Sequence, residues 1–220
     1  MRVLILGQGG REHAFFEQLL SETKARDLFV CIMPGNGGIE PQYCLSGDVR
    51  DTDAIRGYIN HYGFDTIVVG SEDPLVDGIV EKLADLEVFV FGPNQKAAQL
   101  EGSKAWAKAF MAKYGIPTAE YRGFRDQGAA MEYLDSLEPP VVVKASGLAA
   151  GKGVAICPDK ESAQDVVSSY LSGEAFGEAG KEIVIESYLS GREASLFLLS
   201  DGVSYKVLGT AQDYKRAQDG

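Results

Sequence analysis

Apolar residues run unbroken from Val3 to Leu6 and stop at Gly7-Gln8-Gly9-Gly10. Such a short run closed by glycine predicts a strand buried on both faces. From Glu12 onward, Ala14, Phe15, Leu19 and Leu20 predict the apolar face of a helix. The alternation then repeats. A strand is expected over residues 28–33, and a helix from the cap-forming Asp51-Thr52-Asp53 to residue 62. A second buried strand is expected over 66–69, followed by one helix carrying Leu75, Val76, Ile79, Val80 and Leu83, and a strand over 88–91. Strands and helices alternating at this pitch predict a parallel sheet covered on both faces. Ligands of such sheets lie beyond the C-terminal strand ends. The loops at 7–10, 34–38 and 70–74 therefore predict a crevice, the plainer alternative being that their glycines serve turn geometry alone.

The pattern changes at Asn94. One long helical stretch carries Lys104, Trp106, Phe110 and Met111 and is ended by Gly115-Ile116-Pro117. Beyond it a strand is expected at 120–124, a helix at 127–137, paired strands at 141–144 and 154–157, a helix at 160–171 and a strand at 182–186. A hairpin over 191–199 and 203–208 turns at Asp201-Gly202. This second half reads as α+β, so the fold class is α/β with a Rossmann-like parallel first half.

Composition narrows the chemistry. A net charge of −11 argues against nucleic acid as a partner. No apolar run approaches a membrane span, and residues 1–2 lead straight into a strand, so a cytoplasmic protein without a membrane partner is expected. Cys31, Cys44 and Cys157 follow no metal or redox spacing and read as reduced, buried thiols. With two histidines, a histidine-rich metal site is not expected; His13 reads as a structural residue at a helix start. The remaining candidates are lysines, carboxylates and glycine-rich loops.

Two stretches carry those candidates. Val141-Val142-Val143-Lys144 delivers a lysine to a strand end, and Ala145-Ser146-Gly147-Leu148-Ala149-Ala150-Gly151-Lys152-Gly153 follows. Free N–H groups in such a loop attract anions, and two lysines suit phosphate oxygens. The alternative is an ordinary hairpin with two solvated lysines. At the N-terminus a strand–glycine–helix opening also predicts an anion site. Its Gly-x-Gly-x-x-Gly fingerprint is broken by Glu12, and the second strand ends in Pro34-Gly35-Asn36-Gly37-Gly38 without an acidic residue for a ribose. Nicotinamide-dependent oxidoreduction is thus disfavoured.

Gly7-Gln8-Gly9-Gly10-Arg11-Glu12-His13-Ala14, Pro34-Gly35-Asn36-Gly37-Gly38, Gln99-Leu100-Glu101-Gly102-Ser103-Lys104, the Lys144 loop and Gln212-Asp213-Tyr214-Lys215-Arg216 occur in this order. Together they closely resemble the glycinamide ribonucleotide synthetase (phosphoribosylamine–glycine ligase) family of the ATP-grasp superfamily. The resemblance implies a reaction in which ATP phosphorylates glycine and the amine of 5-phosphoribosylamine attacks the glycyl phosphate. It implies Lys104 and Lys144 on ATP phosphates, with Gly151, Lys152 and Gly153 in the loop closing over them. It also implies Glu186, Tyr188 and Leu189 at adenine and Glu193 at the ATP ribose. Gly9, Gly10, Asn36, Glu72 and Asp213 would face phosphoribosylamine, and Lys144 and Lys215 would be the catalytic lysines. Without the resemblance, Glu186 and Glu193 read most simply as solvated strand residues.

The implied organisation is a Rossmann-like domain over 1–100, a linker and start of the ATP-grasp core over 101–119, a small lid over 120–190, and the truncated start of a second core part over 191–220. Ser146 and Ser187 depart from the family's acidic residues at those positions. Its magnesium ligands are expected outside this chain, so these residues alone are expected to be inactive, with apolar surface uncovered around 97–112 and 196–208. A non-catalytic nucleotide-binding module of the same fold is the other reading.

Overall fold

The computed structural model of the chain describes residues 1–149 and 151–212. Its first half contains β1 (Arg2–Gly7), α1 (Gly10–Arg26), β2 (Phe29–Pro34), α2 (Thr52–Tyr62), β3 (Thr66–Val69), α3 (Glu72–Val76), α4 (Ile79–Lys82) and β4 (Phe89–Phe91). The four strands form one parallel sheet in the order β2-β1-β3-β4. Side chains alternate across it. Leu4, Leu6, Met33, Ile67 and Val69 pack with Ile55 and Ile59 of α2 and with Ile79 and Leu83, whereas Val3, Ile5, Val30 and Ile32 pack with Phe16 of α1. The sheet is thus apolar on both faces, as the unbroken hydrophobic runs predict.

Three expectations about helices need correction. The inward face of α1 is carried by Glu12, Phe16, Leu19 and Leu20; Ala14 and Phe15 are exposed. The helix expected over 75–83 is two short helices. Gly78, at φ +81°, turns the chain between them, and the Gln95 side chain donates to Val76 O (3.0 Å), closing the end of α3. The long helix after Asn94 is likewise two, α5 (Gln95–Gly102) and α6 (Lys104–Tyr114). Ser103 is extended, and its hydroxyl accepts the Trp106 N–H (3.2 Å), a helix cap inside an otherwise helical pattern. The break lets the Lys104 N–H donate to Ser146 O (2.8 Å), while Ser146 Oγ accepts from Ala105 N (3.1 Å). The start of α6 is thereby fastened to the loop after the Lys144 strand.

The second half adds β5 (Tyr121–Phe124), α7 (Gln127–Asp135), β6 (Val141–Ala145), β7 (Val154–Cys157), α8 (Lys160–Leu171) and β8 (Ile183–Ser187). These strands form an antiparallel sheet in the order β5-β8-β6-β7. One face packs Val141, Val143, Ala145, Ile183 and Ile185 against Ala130 and Leu134 of α7 and Ala163, Val167 and Tyr170 of α8. Alternation sends Lys144 and Glu186 to the opposite face. The antiparallel β9 (Ala194–Ser200) and β10 (Tyr205–Gln212) form a two-stranded ribbon by themselves. Leu196, Phe197, Leu198, Leu199, Tyr205, Val207 and Leu208 on it are all exposed, the uncovered surface expected there. On α6 the Trp106–Phe110–Tyr114 stack is only partly buried. Cys31 and Cys157 are buried free thiols, and Cys44 is half-buried instead of buried.

Replacing the Ser103 hydroxyl tests the junction. Ser103→Ala should lower unfolding stability by about 0.5–2 kcal/mol, the usual worth of such a cap, in a denaturant melt. An unchanged midpoint would show that the break in the helix does not depend on this cap.

Candidate nucleotide and substrate sites

Among the described residues, four polar or charged side chains are buried: Glu12, Lys108, Ser146 and Glu186. They mark two places. The first lies at the C-terminal ends of the parallel strands, a crevice of about 820 Å³ lined by Gly7, Gln8, Gly9, Ser71, Glu72 and the 47–49 loop, among others. All three βα loops contribute to it, as expected. Residues 47–49 also line it and were not foreseen, because no glycine-rich strand end announces them.

Glu12 fills the floor of this crevice. Its Oε2 accepts the Gly9 N–H (2.7 Å), and its side chain lies where a Cβ on Gly7 or Gly70 would stand. Both positions need glycine for that close approach. A dinucleotide pyrophosphate would need the same N–H and the same space, so the broken fingerprint has a steric consequence. Asn36 bridges the loops, donating to Gln8 O (3.0 Å) and accepting from Gly38 N (2.9 Å). Glu72 lies 3.4 Å from Arg11. Gly10 begins α1. His13 packs on Gly38 and pairs with Glu17 at 3.4 Å, a structural placement.

The second place is the face of the antiparallel sheet turned away from its helices. Glu186 Oε2 lies 3.0 Å from Lys144 Nζ and 2.9 Å from Lys108 Nζ. The other oxygen, Oε1, is buried and has no hydrogen-bond partner among the described residues. Glu186 is therefore no solvated strand residue, and Lys144 is no solvated lysine. Lys104 reaches Gly147 O (3.3 Å) from the start of α6. Burial pushes its ammonium below the ordinary lysine value, aided by Lys144 and opposed by Glu101 and Glu186. Lys104, Lys144 and Glu186 thus lie near one another, with Tyr188 and Leu189 exposed just past β8 and Glu193 just before β9.

The loop glycines differ in their surroundings. A Cβ on Gly147 would stand 2.7 Å from Ala179 Cα, and one on Gly153 would stand 2.6 Å from Ala149 Cβ. These two serve packing at the loop's base, while Gly151 and Lys152 are exposed at its tip. Asp213 and Lys215 lie outside the described residues. Lys108 was missed. Its signal was its place one turn after Lys104, on the same face of a helix otherwise rich in alanine and aromatics.

Comparison with known proteins bears on this pairing of sites. The profile for the phosphoribosylglycinamide synthetase N domain matches residues 1–101, and that for the ATP-grasp (A) domain of the same synthetase matches residues 102–220. The chain belongs to this family. A phosphoribosylamine–glycine ligase of Leptospira interrogans is 44% identical over 223 residues, spanning 100% of this chain and 52% of the relative. One from Yersinia pestis is 42% identical, with the same coverage. The crystal structure of the Thermotoga maritima phosphoribosylamine–glycine ligase matches with a TM-score of 0.78 at 32% identity, over 100% of this chain and 52% of that one. The chain thus spans about half the length of these relatives. An N5-carboxyaminoimidazole ribonucleotide synthetase crystallised with ADP shares the fold, with a TM-score of 0.73 at 17% identity. In this family member no described helix is long and apolar enough to cross a membrane.

The Glu12 packing predicts a coupled pair. Gly70→Ala should cost roughly 1–3 kcal/mol through overpacking, and most of that cost should vanish in a Glu12→Ala background. Additive losses in the double-mutant cycle would contradict the contact.

Proposed function

We propose that this chain forms the ATP- and phosphoribosylamine-binding part of a cytoplasmic ligase. The reaction joins glycine to 5-phosphoribosylamine and yields glycinamide ribonucleotide, ADP and phosphate. A carboxylate oxygen of glycine attacks the terminal phosphorus of ATP and ADP leaves. The amine nitrogen then attacks the acyl carbon, loses a proton and expels phosphate. The observation that carries the reading is the convergence of Lys104 and Lys144 on the buried Glu186, whose Oε1 has no hydrogen-bond partner among the described residues. Names of relatives 41–44% identical to the chain support the same reaction.

Lys104 and Lys144 place positive charge where phosphate oxygens need it, and the desolvated site strengthens both contacts. Glu186 Oε1 suits the N–H donor of adenine, with the backbone at Tyr188 and Leu189 alongside. Glu193 is assigned to the ribose, and Gly151, Lys152 and Gly153 to the loop over the phosphates. In the other crevice, Gly9, Gly10, Asn36 and Glu72 are assigned to phosphoribosylamine, with Asp213 as a further contact and Lys215 as the second catalytic lysine. Magnesium, which the family resemblance implies, would supply positive charge to the phosphates. Among the described residues no cluster of three or more acidic, histidine or cysteine side chains fits it, so no step is assigned through the metal. The partners proposed are small molecules only, with neither nucleic acid nor membrane among them.

Replacing Lys104 or Lys144 by alanine should each weaken ATP binding by about 1–3 kcal/mol, the worth of a charge-assisted contact, in calorimetry. Undiminished affinity in both variants would remove the nucleotide assignment. ADP release by the protein carrying this chain should require both glycine and 5-phosphoribosylamine, and turnover indifferent to either would overturn the ligase reading. The depressed Lys104 pKa gives a further outcome. A phosphate beside this ammonium restores its proton affinity, so ATP binding in the alkaline window between its folded value and the ordinary lysine value should take up protons. Titration in buffers of different ionisation enthalpy reads this, and proton release would contradict it.

A further inference from the structure

Lys108 has no part in the assignments above, yet it is the most confined cation in the molecule's second site. Its side chain is 9% exposed, against 26% for Lys144. Its Nζ lies 2.9 Å from Glu186 Oε2 and donates to Thr118 Oγ1 at 2.6 Å, with the Tyr121 ring centre 5.5 Å away. Both ammonium groups thus share one oxygen of Glu186, and Oε1 is left buried with no donor among the described residues. A carboxylate that served only to neutralise two lysines would be better satisfied with one on each oxygen. Leaving a buried acceptor empty is unfavourable. An empty acceptor in an otherwise complete ion cluster is a place for a donor that the described residues do not supply.

The two lysines also differ in what they can do. Lys144 projects from β6 at the open side of the cluster and can turn toward a ligand. Lys108 is enclosed by a hydroxyl, a ring and the carboxylate, and is held in place. We infer that Lys108 is a positioning residue: it is the fixed counter-ion of Glu186, which frees Lys144 for a ligand phosphate and holds Oε1 toward an N–H donor on the ligand. The inference rests on the nucleotide reading proposed above. It assigns the choice of base to the cluster. When Lys144 leaves for a phosphate, Lys108 alone keeps the buried carboxylate compensated. An amino group on the base then meets an acceptor, whereas a base lacking it leaves Oε1 empty. Without Lys108, Lys144 remains bound to Glu186, and both the phosphate contact and the aim of Oε1 are lost.

Calorimetry of the 220-residue chain with ATP and with purine riboside triphosphate, which lacks the amino group, tests this. The unsubstituted chain should prefer ATP by on the order of tenfold or more, a charge-assisted hydrogen bond's worth. Lys108→Met should bring the two affinities to within about threefold, and Lys108→Arg should restore a preference. A purely structural role would lower the melting temperature of Lys108→Met and leave the preference intact, and that result overturns the inference. Should Lys108→Met not fold, Thr118→Val decides, because it removes only the hydroxyl that anchors Nζ at an exposed position. A reduced preference supports the assignment and an unchanged one overturns it. If the unsubstituted chain does not bind ATP or shows no preference, the nucleotide or adenine placement fails first, and the role of Lys108 falls with it.

Discussion

The carboxylate of Glu186 ties together three elements that are distant in sequence. It stands on β8, beside Lys144 on β6, and it reaches Lys108 on α6. A charge removed from water to this degree is tolerated only where opposite charges and hydrogen bonds meet it. Lys108 is the counter-ion least open to water, so the antiparallel sheet and α6 are bound to one relative placement. The polar face of that sheet is consequently a site, while its other face is a conventional core against α7 and α8.

The junction at Ser103 and Ser146 serves the same placement from the other end. Ser146 makes three polar contacts with the start of α6 through its oxygen atoms. A carboxylate there would add charge beside Lys104. The Lys104 ammonium is held below the ordinary lysine value by its burial first, with Lys144 acting the same way and Glu101 and Glu186 opposing. Nucleotide phosphates would then meet a lysine whose charge is not already matched.

Glu12 is the counterpart in the parallel half. Its side chain occupies the space that a third glycine leaves open in dinucleotide-binding turns, and its oxygen takes the Gly9 N–H. A common α/β opening is thereby turned away from one ligand class by a single residue. The crevice itself survives, because the loops at residues 34–38, 47–49 and 70–73 form most of its wall.

The alternating strands and helices of the first half were legible in the sequence because both signals are local: unbroken apolar runs for doubly buried strands, and glycine at their ends. The caps Asp51, Asn94, Asp126 and Asp159 are local signals too, and each accepts a backbone N–H at its helix start. Periodicity failed at Gly78 and Ser103, where the chain turns to make contacts with Gln95 and Ser146; no window of sequence contains both partners. The same limit governed the site. Lys144 and its glycine loop were legible as a motif, and the family's order of motifs named Lys104 and Glu186. Only the folded chain placed Lys108 against Glu186 across 78 residues and left one carboxylate oxygen without a partner among the described residues. Burial and pairing are properties of a three-dimensional neighbourhood, and a helical lysine reads the same in sequence whether it faces water or a carboxylate.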